Sequence, residues 1–190
     1  MARLRVPTPP GALCRLTPAE LARRAQRLSW LLLDVDGVLT DGRLTFGPDG
    51  GVSKSFHTKD GFGIGLARRV GLKVGTLSLR DDPALDHRAA ELTLDAVVHG
   101  RRDKGDTFEQ FLRRRRLRPE QVAFAGDDWP DLPVLARCGL SLAPADAAAE
   151  VAAQVDVVVA AGGGKGAVRE MIELILKARG DWDGLVGGTL

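Results

Sequence analysis

The stretch LLLDVDGVLTDG, residues 31–42, decides how the rest of the chain is read. Leu31, Leu32 and Leu33 form a short continuous apolar run, the pattern of a strand covered on both faces. Asp34 and Asp36 follow at once, with Gly37 and Asp41 close behind. Carboxylates are expensive beside apolar groups, so a buried strand that runs into two of them needs a chemical reason. A second stretch does the same. VAFAGDDWPD, residues 122–131, carries apolar residues into Gly126, Asp127, Asp128 and Asp131.

Outward from these strands, the chain alternates strand and helix. TPAELARRAQRL (17–28) reads as a helix with Thr17 as its cap, Pro18 in the first turn and Glu20 closing a capping box. RLTFGPDGGVSKSF (43–56) reads as a hairpin turning at Pro48–Gly51. Helices are expected near 60–70, 83–92, 103–117, 130–138, 145–153 and 166–179, with strands at 72–78, 95–99, 122–126, 140–143 and 156–160. Alternation of this kind implies parallel pairing through right-handed crossovers. The expected fold is a three-layer, Rossmann-like α/β sandwich with a mainly parallel sheet. In such sheets ligands bind beyond the carboxyl ends of the strands, where the strand order switches. The two acidic stretches would lie at that edge.

Organisation follows the same reading. Residues 1–16, with Pro7, Pro9, Pro10 and Gly11, are expected to be a loose leader, 17–179 one domain, and the glycine-rich 180–190 a mobile tail. Only residues 43–71 lie between the first acidic stretch and the second strand. That length holds a hairpin flap and a helix but no separate cap domain.

Composition narrows the function. The chain has 190 residues, 44% apolar and 27% charged, with net charge +2, an ordinary globular balance. So small a charge does not by itself imply nucleic acid. Cys14 and Cys138 stand far apart without a CxxC, against a disulfide framework and in keeping with a cytoplasmic setting. No apolar run approaches the ~18 residues of a membrane span.

Two carboxylate clusters at one sheet edge repel each other, so a cation must offset them or some must stay protonated. Oxygen-only ligands favour a hard ion such as Mg²⁺, which keeps waters and bridges to phosphates. A lone DxD more often caps a helix or turns a loop; two such clusters, each directly after an apolar strand, favour a site.

With these residues in hand, DVDGVLTDG followed by GDDWPD resembles the haloacid-dehalogenase phosphatase superfamily. FHTKDGFGI (56–64), HRAAEL (87–92), VAFAGDD and GGGKGAVRE (162–170) are similar to the 3-deoxy-D-manno-octulosonate 8-phosphate phosphatase family, in order over residues 29–179. The resemblance implies a phosphomonoesterase that acts on a sugar phosphate in lipopolysaccharide synthesis. Asp34 would be the nucleophile and Asp36 the general acid and base. Mg²⁺ would be held by Asp34, the backbone carbonyl of Asp36 and Asp127, with Asp128 and Asp131 behind it. Ser78 and Lys104 would hold the phosphoryl oxygens. It also implies a homotetramer whose neighbours complete each pocket; the alternative is an open, promiscuous monomer.

Two departures bear on the substrate. SLR (78–80) stands where the family usually reads Thr-Gly-Arg, so Leu79 adds bulk beside Ser78 and Arg80. Lys59 stands where arginine is common and lacks the planar fork that grips a carboxylate. A nine-carbon acid-sugar 9-phosphate is therefore an alternative substrate, and a non-catalytic binding or assembly protein an alternative class. Other motifs carry less. RRRR (113–116) lies beside an apolar face of Phe108, Phe111 and Leu112 and reads as a solvated side. GGGKGA lacks the Ser or Thr of a phosphate loop, and GFGIG does not complete GxGxxG. His57, His87 and His99 have no zinc spacing, although His57, next to the hairpin, could face substrate.

Overall fold

The computed structural model describes residues 11–81, 83–100 and 103–187. Pro7, Pro9 and Pro10 of the expected leader, and 188–190 of the expected tail, lie outside them.

The expected alternation is present. Leu13–Cys14 (β1) and Pro18–Ala25 (α1) precede the first apolar strand, Trp30–Leu33 (β2). Thr45–Phe46 (β3) and Val52–Ser53 (β4) pair as a small antiparallel hairpin. Then come Thr58–Arg69 (α2), Lys73–Leu77 (β5), Pro83–Glu91 (α3), Ala96–Val98 (β6) and Lys104–Arg115 (α4). The second half holds Val122–Ala125 (β7), Leu132–Leu135 (α5), Leu140–Ala143 (β8), Ala149–Gln154 (α6), Val157–Val158 (β9), Ala167–Arg179 (α7) and Trp182–Gly187 (α8).

Among the described residues the main sheet has the order β1-β9-β8-β7-β2-β5-β6. Its pairs are parallel except β1 with β9. From β2 the chain builds outward through β5 and β6, then crosses back to β7 and continues to β8 and β9. The order therefore reverses between β2 and β7, the two strands that end in acids, and their registers match from Trp30↔Val122 to Leu33↔Ala125.

Burial explains why β2 is apolar at every position. Successive side chains on a strand point to opposite faces. Leu31 and Leu33 join the core under α1, α2 and α7, whereas Leu32 joins Phe124, Phe108 and Val134 under α4 and α5. Both faces are covered, so no position in the strand tolerates water. The Thr17 capping box forms as expected: Glu20 N donates to Thr17 Oγ1 at 3.3 Å, and Thr17 N donates to Glu20 Oε2 at 2.9 Å. On α4, Phe108, Phe111 and Leu112 are buried while Arg113–Arg116 are exposed. Arg115 also stacks its guanidinium 4.3 Å from the Phe111 ring centre.

Two segments differ from the sequence expectation. Leu13 and Cys14, placed in a loose leader, form an edge strand on β9, because Asp156 O accepts from Arg15 N at 2.9 Å and the pairing completes the open side of β9. Residues 182–187, placed in a mobile tail, are helical. Trp182 and Leu185 pack against the core, and Lys177 Nζ sits 4.9 Å from the Trp182 ring centre. Glycine content suggested a coil there; the apolar contacts override it. Both cysteines are free thiols, and among the described residues no helix is long and apolar enough to cross a membrane.

Candidate active site

The acids converge where the strand order reverses. Asp34 follows β2 directly and is anchored by donating its N–H to Ala125 O at 2.8 Å. The chain then makes one wide turn, Val35–Leu39, closed by Thr40 N donating to Val35 O at 3.0 Å. Gly37 permits this turn. Its φ is +91°, and a Cβ there would lie 2.0 Å from Asp127 Oδ2, so the bare backbone is what lets the two acidic stretches approach. Gly126 does the same for Asp131, whose Cβ would lie 2.5 Å from any side chain at 126.

Lys104, the first residue of α4, sits between the stretches. Its Nζ lies 2.8 Å from Asp34 Oδ1 and 2.5 Å from Asp131 Oδ1, and its side chain is 3% exposed. The other Asp131 oxygen accepts from the N–H groups of Asp127 and Asp128, at 3.0 and 3.3 Å. Asp131 thus ties the lysine to the second acidic loop. Asp128 lines the pocket too, and its Oδ1 accepts from Trp129 N at 2.8 Å, capping the short turn that delivers Asp131.

Electrostatics follow from this crowding. Burial pushes the Asp34 carboxyl up to about 6, with the Asp131 charge adding to the effect and Lys104 opposing it. Burial pushes Asp127 up to about 8, helped by the charges of Asp34 and Asp131. Burial would lower the Lys104 ammonium, but the two facing carboxylates outweigh it and leave its pKa raised. One lysine therefore does not neutralise the cluster. Oxygens of Asp34, Asp127 and Asp131 lie within 4.8 Å of one another, and the buried Oδ1 of Asp127 has no hydrogen-bond partner. An orphaned carboxylate oxygen in an all-oxygen cluster fits a hard divalent cation.

Ser78 directly follows the neighbouring strand β5, is 3% exposed, and donates its N–H to Val98 O at 2.8 Å. With Leu79 and Arg80 it closes a pocket of ≈ 220 Å³ whose floor is Asp34, Lys104 and Asp127. Six of the expected acids and cations, together with Ser78 and Arg80, thus share one cavity. His57 and Lys59 do not. His57 caps α2 by accepting from Lys59 N at 3.2 Å, Lys59 is exposed on the first turn, and neither lines this pocket or the cleft beside it. The first turn of α2 is instead fastened to α7, where Asp60 accepts from Arg169 N at 2.7 Å.

No family model matches the chain. Individual proteins do. The 3-deoxy-D-manno-octulosonate 8-phosphate phosphatase KdsC of Haemophilus influenzae is 40% identical over 160 residues, which are 84% of this chain and 89% of that protein. The chain belongs to the 3-deoxy-D-manno-octulosonate 8-phosphate phosphatase family. Solved structures agree. A probable YrbI-family phosphatase from Pseudomonas syringae superposes with a TM-score of 0.87 at 40% identity, over 90% of this chain and 97% of that one. The 3-deoxy-D-manno-octulosonate 8-phosphate phosphatase of Moraxella catarrhalis, in complex with magnesium, phosphate and KDO, gives 0.87 at 29% identity, over 90% and 98%.

Two features of this phosphatase escaped the motif reading. Lys54, just past β4, reaches in from the hairpin, with Nζ 2.6 Å from Asp36 Oδ1 and a side chain 2% exposed. Nothing in GVSKSF separates it from a solvated lysine. The glycines of GGGKG lie against the acid turn: a Cβ on Gly163 would meet Gly37 O at 1.9 Å, and Gly164 N donates to Val38 O at 3.1 Å. Three consecutive glycines were the available signal, and they mark a close backbone approach.

Proposed function

We propose that this phosphatase hydrolyses 3-deoxy-D-manno-octulosonate 8-phosphate to the free sugar acid and inorganic phosphate. The observation that carries the reading is the convergence of Asp34, Asp127 and Lys104 from three elements on one small polar pocket. Family membership supports the substrate, and the Moraxella catarrhalis complex supports the ion.

Asp34 attacks phosphorus as its carboxylate, forming an aspartyl phosphate as the ester P–O bond breaks. Asp36 gives its proton to the departing sugar oxygen. It then takes a proton from the water that attacks the aspartyl phosphate and frees Asp34. Lys104 and the Ser78 hydroxyl hold phosphoryl oxygens, and Asp131 keeps the lysine aimed. Asp34, the Asp36 backbone carbonyl and Asp127 would hold Mg²⁺. When bound, that ion offsets the charge of the phosphate and the nucleophile as they meet. Arg80, at the mouth, faces the leaving group, and Leu79 narrows its path.

The assembly we infer is a homotetramer. Phe46 and Val52 pair across the hairpin and are 68% and 40% exposed, and Phe62 on α2 is 57% exposed. Exposed apolar side chains of this size suit contact with a second copy of the chain.

The test is phosphate release from a panel of acid-sugar phosphates, eight- and nine-carbon included, with Mg²⁺ and with chelator. The eight-carbon ester should have the highest kcat/KM, and chelator should abolish turnover. A nine-carbon preference would reassign the substrate; metal-independent turnover would reject the ion's role.

A further inference from the structure

The buried lysine of the hairpin has no place in the mechanism so far. Val52, Ser53 and Ser55 around it are exposed, yet Lys54 alone is turned inward, 2.6 Å from Asp36 Oδ1. Burying an ammonium costs several kcal/mol unless it is paired, and the Asp36 carboxylate is one group that offsets that cost. Asp36 itself leaves an irregular turn, with φ −79° and ψ 115°. Its second cation, Arg80, has Nε 3.7 Å from Oδ2, beyond hydrogen-bond reach, on a side chain 61% exposed. The two oxygens of Asp36 are therefore not equivalent. Oδ1 is ion-paired with Lys54. Oδ2 looks toward Arg80, which also lines the ≈ 380 Å³ cleft between the hairpin and the loop after β5.

The geometry points to Lys54 as a positioning residue for proton transfer: by holding Oδ1 of Asp36, it leaves Oδ2 to serve the leaving group. The inference rests on the proposed phosphatase mechanism and deepens it. In the first step the Asp34 oxygen bonds to phosphorus, the ester P–O bond breaks, and the proton on Asp36 Oδ2 passes to the departing oxygen. Lys54 keeps its own protons throughout. A lysine that only fastened the hairpin would affect every substrate alike. A lysine that orients the acid matters most when the leaving oxygen needs a proton.

The experiment compares kcat/KM on two esters. One is 3-deoxy-D-manno-octulosonate 8-phosphate, or the sugar phosphate the wild type cleaves best should it leave that ester intact, so that a wrong substrate and a wrong role for Lys54 give different results. The other is 4-nitrophenyl phosphate, whose phenolate leaves without protonation. Lys54→Met should lower the sugar-ester value by about 10- to 100-fold, part of the contribution of proton transfer, and the aryl-ester value far less. Lys54→Arg, with the charge kept on a different geometry, should fall between wild type and Lys54→Met on the sugar ester. In an Asp36→Asn background, Lys54→Met should add nothing further. Equal losses on both esters, no loss on either, or full additivity with Asp36→Asn would overturn the assignment. Should Lys54→Met fail to fold by thermal melt, Lys54→Arg decides alone: a loss selective for the sugar ester supports the role, and a uniform loss or none rejects it.

Discussion

Asp34 is 7% exposed and Lys104 is 4% exposed, so the centre of the site is a charge cluster out of water. Replacing Asp34 by Asn removes the proposed nucleophile while nearly keeping its shape. Turnover should fall by more than about 10³-fold, because an amide does not form the phosphoryl-enzyme, and the thermal midpoint should stay close to that of wild type. Phosphate release and a melt measured on the same sample check both halves. The raised carboxyls also make stability depend on pH. Their folded values, about 6 for Asp34 and about 8 for Asp127, exceed the ordinary 3.8. The folded state therefore binds more protons than the unfolded one across this window, and stability falls as pH rises from about 4 through 8. In chelator, the thermal midpoint should decline over that range. Divalent metal competes with those protons for the same oxygens, so added Mg²⁺ should raise the midpoint more at pH 8 than at pH 5. A pH-independent metal effect would contradict the assigned ligands.

At the scale of elements, the wide turn Val35–Leu39 is the part with least tolerance. It is pressed from one side by Asp127 and from the other by the glycine loop before α7. Gly37→Ala combines a positive φ, which costs an L-residue about 1–2 kcal/mol, with a Cβ 2.0 Å from Asp127 Oδ2. The side chain must push Asp127 aside. We expect Mg²⁺ affinity by calorimetry to drop at least about tenfold, since each 1.4 kcal/mol is a factor of ten, with a smaller loss in folding stability. An Ala variant that binds metal like wild type would show that the turn can relax. Helix α1 tests local sequence logic instead. Thr17→Ala removes the side-chain half of the capping box, the Thr17 Oγ1 that accepts from Glu20 N, and should cost about 0.5–2 kcal/mol by denaturant titration, leaving catalysis unchanged because no residue of α1 lines the pocket.

For the whole molecule, the decisive fact is that β2 and β7 are neighbours although α2, β5, α3, β6 and α4 intervene. The reversal of strand order opens a crevice at their carboxyl ends, and both acidic loops empty into it. The hairpin covers only one side of that crevice. The proposed tetramer would place other copies over the rest. Sedimentation at assay concentration should give a species of four chains, and Phe46→Asp on the exposed hairpin should dissociate it and raise KM more than it lowers kcat. A monomer with full activity would refute the assembly.

The sequence by itself determined most of the strands and helices. Periodicity and caps are local: Thr17 with Glu20, and the unbroken apolar run of β2, need no distant partner to be read. It also marked both acidic strand ends, because charge beside a buried strand is anomalous wherever the chain later goes. Lys104 and Ser78 were legible through motif order. Only the tertiary structure decided that Asp36 faces a hairpin lysine, that Leu13–Cys14 closes the sheet edge, that residues 182–187 pack as a helix, and that the pocket is lined without His57 and Lys59. Each of these depends on a contact between residues far apart in the chain. A lysine on a hairpin or a pair of residues before a helix carries no local sign of its partner; burial and charge pairing, which select the partner, exist only once the chain has closed on itself.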